Sequence, residues 1–259
     1  MTNLVKEISE KIAAAHKTGM PIEFIRHQYS LDEETAYAVQ DELVKELSAN
    51  GQGEIAGYKI SMTSAETQAI ANTHEPAYGT LLASNLLKSG ETVPFSSMFS
   101  PLIEPEIMFI LTEDLSLGAG EDEILRKSKI AAGIEIPDSR YKDWFPNFSL
   151  ADLICDNTAV GLVVLSEPVA PPSFAELANE RMELFHNGVK ISEGTASAVL
   201  DNPVSAVAWL SRKLAAKGKA LRKGMVISSG TFISPIAAEE GTYKVSYSTL
   251  GEVEITFEP

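Results

Sequence analysis

One stretch constrains the fold of this chain more than any other: Ser100-Pro-Leu-Ile-Glu-Pro-Glu-Ile-Met-Phe-Ile-Leu111. Its second half, Ile107 to Leu111, is an unbroken apolar run that reads as a buried strand. Two carboxylates, Glu104 and Glu106, stand at its entrance with Pro105 between them. Alternate side chains of a strand share a face, so both acids project to the same side. Two like charges held together are unfavourable unless water, a cation or a metal offsets them. The pair is either two solvated glutamates at a strand end or half of a divalent-metal site, and the rest of the chain has to decide.

The whole chain bounds the answer. Its 259 residues suffice for a sizeable core, and 44% hydrophobic with 22% charged residues is an ordinary globular composition. The net charge is −15, and no basic cluster stands out. Phosphate backbones require Lys/Arg surfaces, so nucleic-acid binding is not expected. The single Cys155 excludes an intrachain disulfide framework, and its apolar context, Leu153-Ile-Cys, suits a buried small residue better than a nucleophile. No basic, apolar leader and no run of roughly 20 apolar residues is present, so the expected location is cytoplasmic, with no membrane partner.

Taken in order, Leu4, Val5, Ile8, Ile12 and Ala15 recur at helical spacing, and Gly19 and Pro21 end that helix. Ser30-Leu-Asp-Glu33 is a capping-box pattern before a second helix through Leu47, stopped at Asn50-Gly51. Ile55 to Ile60 then reads as a strand with Lys59 on the face opposite Tyr58 and Ile60. Thr63 to Glu66 opens a short helix, and the segment holding Pro76 and Gly79 reads as a loop. A charged helix is expected over residues 121–129. Ile130 to Ile136 and Val160 to Leu165 are apolar strands, the first carrying Glu135. Asn187-Gly188 marks a hairpin, because both turn positions need positive φ. Asn202-Pro203 starts a helix through Ala216, and strands follow at 225–230, 243–247 and 252–257. No linker or repeat divides the chain. The organisation expected is a single catalytic domain over 1–259, with a helical portion at 1–53 and a mixed β core at 54–259.

Glu135 is a third acid at an apolar strand end, and a lone acid in such a run is costly to bury without a partner. Carboxylate-only sites suit hard cations, Mg²⁺, Mn²⁺ or Ca²⁺. The four histidines are scattered, no phosphate-binding glycine loop occurs, and Ser228-Ser-Gly230 lacks the nucleophile-elbow form. Lys59 is either a solvated strand lysine or a cation and acid/base facing a polar pocket.

Five segments occur in an order that is more specific than any one of them: Gly57-Tyr-Lys-Ile-Ser-Met-Thr-Ser64, Glu75-Pro-Ala-Tyr-Gly-Thr-Leu81, Ile103-Glu-Pro-Glu-Ile-Met-Phe-Ile110, Ile134-Glu-Ile-Pro-Asp-Ser-Arg-Tyr-Lys-Asp-Trp144 and Cys155-Asp-Asn157. Together they resemble the 2-keto-4-pentenoate hydratase and 4-oxalocrotonate decarboxylase family, within the fumarylacetoacetate hydrolase superfamily. The resemblance implies an α+β fold with a mixed β-sheet roll or barrel of the fumarylacetoacetate hydrolase C-terminal-domain type. It also implies a Mg²⁺ or Mn²⁺ site, a homo-oligomer and a small 2-oxo or 2-hydroxy dienoic acid as substrate. Glu104, Glu106 and Glu135 match the family's metal ligands, and Lys59 its active-site lysine. Asp138 and Arg140 follow the third ligand and are assigned to orienting it and the pocket loop.

Two positions depart from the family pattern. Ala77 stands where its hydratases usually carry an acid, and Ala159 where they carry a serine. Neither alanine can move a proton, which leaves Ser64, Thr158 or a metal-bound water as replacements. The function expected is hydration of short 2-hydroxy-2,4-dienoates through a metal-stabilised enolate. Decarboxylation of a 2-oxo-3-enedioate, which asks less of proton-transfer groups, is the alternative. A non-catalytic protein that binds a metal or 2-oxo acid is the third reading.

Overall fold

The computed structural model describes residues 2–259; Met1, the first residue of the expected helical portion, lies outside them. Two amphipathic helices lead, α1 (Thr2–Thr18) and α2 (Glu33–Leu47). Ile8, Ile12, Val39 and Leu43 are fully buried along the faces that the spacing predicts. Each such side chain contributes roughly 1.5–3 kcal/mol. The cap of α2 differs from expectation: Asp32, not Ser30, is the N-cap, its carboxylate accepting from Thr35 N at 2.8 Å. A carboxylate brings a full negative charge to the positive helix end, which a serine hydroxyl does not.

The chain then alternates short elements: β1 (Ile55–Ser61), α3 (Ala65–Ile70), β2 (Ala77–Leu82), β3 (Leu86–Lys88) and β4 (Thr92–Pro94). The long β5 (Leu102–Leu111) follows, then α4 (Glu121–Arg126), β6 (Ser128–Ile136), α5 (Leu150–Cys155), β7 (Leu162–Leu165) and α6 (Phe174–Ala178). The hairpin of β8 (Arg181–His186) and β9 (Val189–Thr195) turns at Asn187 and Gly188, with φ of 50° and 79°. After α7 (Pro203–Ala215) come β10 (Val226–Thr231), β11 (Ile236–Ala237), β12 (Gly241–Tyr247) and β13 (Gly251–Glu258). Two expectations are corrected here. The segment around Gly79 is the buried strand β2, not a loop. The charged helix ends at Arg126 rather than 129, because the Ser128 hydroxyl donates to Ile124 O at 2.6 Å and the ladder with β5 takes over from Ser128.

Two sheets result. The larger runs in the order β2-β1-β10-β5-β6-β7-β3, with β11 also pairing β5; the smaller runs β4-β13-β12-β8-β9. In the larger sheet β1 is parallel to β10 and β3 to β7, and the other pairs are antiparallel. Strands β12 and β13 pack across β6. On β5, Ile107, Phe109 and Leu111 turn into the main core, while Glu104, Glu106 and Met108 take the opposite face. The leading helices are tied down by polar contacts as well as apolar ones. Asp152 of α5, fully buried, accepts from Arg26 N at 2.9 Å and from its guanidinium at 2.5 Å.

Candidate metal centre and cleft

Strand register assembles the acids. Glu104 and Glu135 lie directly across from one another on β5 and β6, and Glu106 faces Gly133 two residues further along. One carboxylate oxygen from each of Glu104, Glu106 and Glu135 lies within 4.8 Å of the others. Among the described residues, this is the grouping of acidic, histidine or cysteine side chains that could hold an ion. Glu106 is oriented by β10, where the pairing with β5 shifts between Ser228 and Thr231. The irregularity releases the Gly230 amide from the ladder, and Gly230 holds φ 118°, a conformation that favours glycine. Gly230 N donates to Glu106 Oε2 at 2.8 Å and the Ser228 hydroxyl donates to the same oxygen at 2.5 Å.

The other oxygens of the cluster are left over. Glu106 Oε1 and Glu135 Oε2 are buried without a hydrogen-bond partner among the described residues. Buried acceptors are nearly always satisfied, so an unmatched pair facing a third carboxylate points to a missing positive group. Burial, and then the charge of Glu135, push the Glu104 carboxyl up to about 8, with Lys59 pulling the other way. Burial followed by the neighbouring glutamates raises Glu106 as well, against the donors Ser228 and Gly230. An all-oxygen set with this excess of negative charge fits a hard divalent cation such as Mg²⁺, Mn²⁺ or Ca²⁺.

Among the residues lining the cleft, the cation is Lys59. Its ammonium lies 2.7 Å from Glu135 Oε1 and donates to Thr158 O at 3.0 Å. Burial alone would lower its pKa; Glu135, Glu104 and Glu106 together outweigh burial and raise it, so the lysine stays charged. The Thr158 carbonyl reaches it because of a sharp turn in which Asn157, Thr158 and Ala159 all have φ between 50° and 55°. That turn lies over Gly79, which faces Lys59 across the β1–β2 ladder. A Cβ at Gly79 would meet Asn157 O at 2.4 Å. The turn also pairs with β2 as a neighbouring strand would. Asn157 accepts from Thr80 N and donates to Thr80 O, both at 2.8 Å, and the Thr158 hydroxyl donates to Tyr78 O at 2.7 Å.

Of the three glutamates, Glu104 borders the narrow cleft. Lys59, Glu104 and Thr158 line it together with Trp144, Phe145 and Phe148, whose ring centroids are 5.6–6.4 Å apart.

The residues singled out in the sequence divide into two groups. Glu104, Glu106, Glu135, Lys59 and Thr158 come together, but Thr158 contributes its carbonyl, since its hydroxyl is committed to Tyr78. Ser64 is not among the cleft-lining residues; it is the N-cap of α3, in a capping box with Thr67. Arg140 is buried beneath the cleft, with Nε 2.6 Å from Asp156 Oδ1 and further bonds to Val160 O and Asp156 O. Asp138 accepts from Phe99 N and Ser100 N at 2.8 and 2.7 Å and so holds the approach to β5. Asp138 thus ties down the segment before β5, and Arg140 the segment at 156–160. Burial, then Asp152 and Asp156, raise the Cys155 thiol, in keeping with an inert core residue. Sequence reasoning missed the roles of Ser228 and Gly230, whose segment read as a strand lacking the nucleophile-elbow form. It also missed Ser61 and the aromatic wall. Ser61 lines the cleft, alternates with Lys59 along β1 and faces Ala77; its hydroxyl makes no hydrogen bond among the described residues.

No family model matches the chain. It is 32% identical over 260 residues to the 2-keto-4-pentenoate hydratase of Burkholderia vietnamiensis, covering 98% of each protein. It is 31% identical over 259 residues to the 2-oxo-hept-4-ene-1,7-dioate hydratase of Escherichia coli, covering 96% of each. Among solved structures, the 4-oxalocrotonate decarboxylase of Pseudomonas putida G7, complexed with magnesium and adipate, superposes with a TM-score of 0.91 at 25% identity, over 100% of this chain and 98% of that one. Fumarylpyruvate hydrolase of Pseudomonas aeruginosa, in complex with Mn²⁺ and pyruvate, shares the fold at a TM-score of 0.56 and 13% identity, over 77% of this chain and 88% of that one.

Proposed function

The chain belongs to the 2-keto-4-pentenoate hydratase family and has the fumarylacetoacetate hydrolase type of fold, and on that premise we propose that it is a divalent-metal-dependent lyase that hydrates short 2-hydroxy-2,4-dienoates. The observation that carries this reading is the carboxylate cluster that meets the cleft at Glu104, with unmatched buried oxygens on Glu106 and Glu135 beside a charged lysine. Glu104, Glu106 and Glu135 would hold Mg²⁺ or Mn²⁺. When bound, the cation supplies Lewis-acid stabilisation of negative charge growing on the substrate's C2 oxygen.

The chain's own residues account for the rest. Lys59 Nζ, kept protonated by the surrounding carboxylates, is a fixed positive charge for the substrate head rather than a ready proton donor. The aromatic wall keeps bulk water from the diene. Hydration converts the dienol to a conjugated ketone by protonation at C5 and loss of the enol proton, and water then adds at C4 as C3 takes up a proton. With alanine at 77 and 159, the Ser61 hydroxyl, on the strand face of Lys59, is a cleft group free to hold the added water, and we assign it that role. Homo-oligomeric assembly and a cytoplasmic location belong to the same proposal. No helix among the described residues is long and apolar enough to cross a membrane.

Ala77 and Ala159 also favour a second reading, decarboxylation of a 2-oxo-3-enedioate, which needs the same enolate stabilisation and fewer proton-transfer groups. Incubating the Mg²⁺-loaded protein with 2-hydroxypenta-2,4-dienoate and with 4-oxalocrotonate separates the two. Dienol loss without CO₂ is the expected result, CO₂ release selects the alternative, and turnover of neither sinks both. Glu106→Ala should weaken Mg²⁺ binding by at least about 100-fold in a calorimetric titration. Unchanged affinity would remove the proposed ligand set.

A further inference from the structure

The cleft has a property that the reaction itself does not demand: it offers no free cation to a second acidic group. Lys59 is the one cationic side chain among its lining residues, and Glu135 and Thr158 O already hold it. Arg140, the next cation near Glu135 in sequence, is buried below and spends its guanidinium on Asp156 and Val160. Neutral donors are mostly committed too. The hydroxyls of Thr67 and Thr231 donate to Ser64 O and Ile233 O, and the Trp144 indole N–H donates to Ser100 O at 2.9 Å. The remaining surface is largely apolar: Trp144, Phe145 and Phe148 with Ile70, Leu102 and Leu153.

We propose that this protein selects 2-oxo and 2-hydroxydienoic acids whose far end is an uncharged alkyl or aryl group, and discriminates against dioic acids. The proposal rests on the reading above only for the head of the substrate, which occupies the glutamate and lysine end of the cleft. A second carboxylate would leave water for largely aromatic and aliphatic walls with no free cation to pair it. Each methylene laid against those walls instead strengthens binding by up to about fourfold. The chain thereby parts from its Escherichia coli relative, whose name specifies a dioate.

Calorimetric titration of the Mg²⁺-loaded protein with pyruvate, 2-oxohexanoate, 2-oxoheptanoate and 2-oxoadipate tests this without relying on turnover. Affinity should rise with tail length, and 2-oxoadipate should bind at least about 100-fold more weakly than 2-oxohexanoate. Equal or tighter binding of 2-oxoadipate overturns the proposal while leaving the hydratase reading intact. Absence of pyruvate binding overturns the reading of the head site and the proposal with it. In Phe148→Ala the dependence on tail length should flatten while pyruvate still binds, which also reports that the variant is folded. An unchanged dependence in that variant overturns the assignment of the tail to the aromatic wall.

Discussion

At the scale of single residues, the centre is a balance of charge. Lys59 partly neutralises three glutamates in the absence of a metal, and it opposes any cation that joins them. Lys59→Met should therefore bind Mg²⁺ at least as tightly as the parent protein while turnover of the dienol falls by about 10²–10³-fold, read by calorimetry and steady-state kinetics. Glu104 gives the balance a pH signature. Its carboxyl rises from 4.5 to about 8 on folding, so the folded, metal-free protein keeps a proton that the unfolded chain releases. The associated stability is fully present below pH 4.5 and is lost as pH rises through about 8. Over that window the melting temperature of the metal-free protein should fall relative to Glu104→Gln, and the increment given by saturating Mg²⁺ should grow. The acids and the lysine were legible in the sequence because apolar runs made their charges conspicuous. Ser228 and Gly230 were not, since a hydroxyl and a free amide in a strand become meaningful only when a register shift turns them toward Glu106.

At the scale of elements, the turn at 157–159 and strand β2 act as one piece. Gly79→Ala would drive a methyl group into Asn157 O. It should destabilise the fold by about 1–3 kcal/mol in denaturant melts and lower turnover through displacement of Lys59. The Arg140–Asp156 pair fixes the other side of the same turn. Arg140→Ala leaves a buried carboxylate unpaired and should cost about 3–5 kcal/mol, with much of that recovered in the Arg140→Met, Asp156→Asn double variant. Long amphipathic helices and the Asn-Gly hairpin could be placed from pattern alone. Strand β2 could not, because Pro76 and Gly79 signal a turn locally and the glycine is explained only by a distant segment packed against it. Helices α5 and α6 were overlooked for a different reason. Their signals, Ser149 with Asp152 and Ser173 with Glu176, are capping boxes, but each precedes too few residues to show a helical period.

At the scale of the molecule, the leading helices and the elements that follow them share buried polar contacts. Gln40 of α2 donates to Tyr78 O and Ile154 O, and Arg26 closes on Asp152. One catalytic domain is the organisation proposed from this, and it requires helical and near-ultraviolet aromatic circular dichroism to melt in a single coincident transition. Two separated transitions would divide the helices from the core. The broad architecture was readable because its strands are apolar and its helices amphipathic; the sheet order was not, since β10 inserts between β1 and β5 from far along the chain. The grip on Lys59 has a consequence of another kind. Thr158 holds the ammonium with a main-chain oxygen, so the anchor survives changes of side chain there. The side chain at 159 is not part of that grip, so a change there leaves the lysine at its address. Such a scaffold can trade one proton-transfer chemistry for another by point substitution, without rebuilding the machinery beneath it.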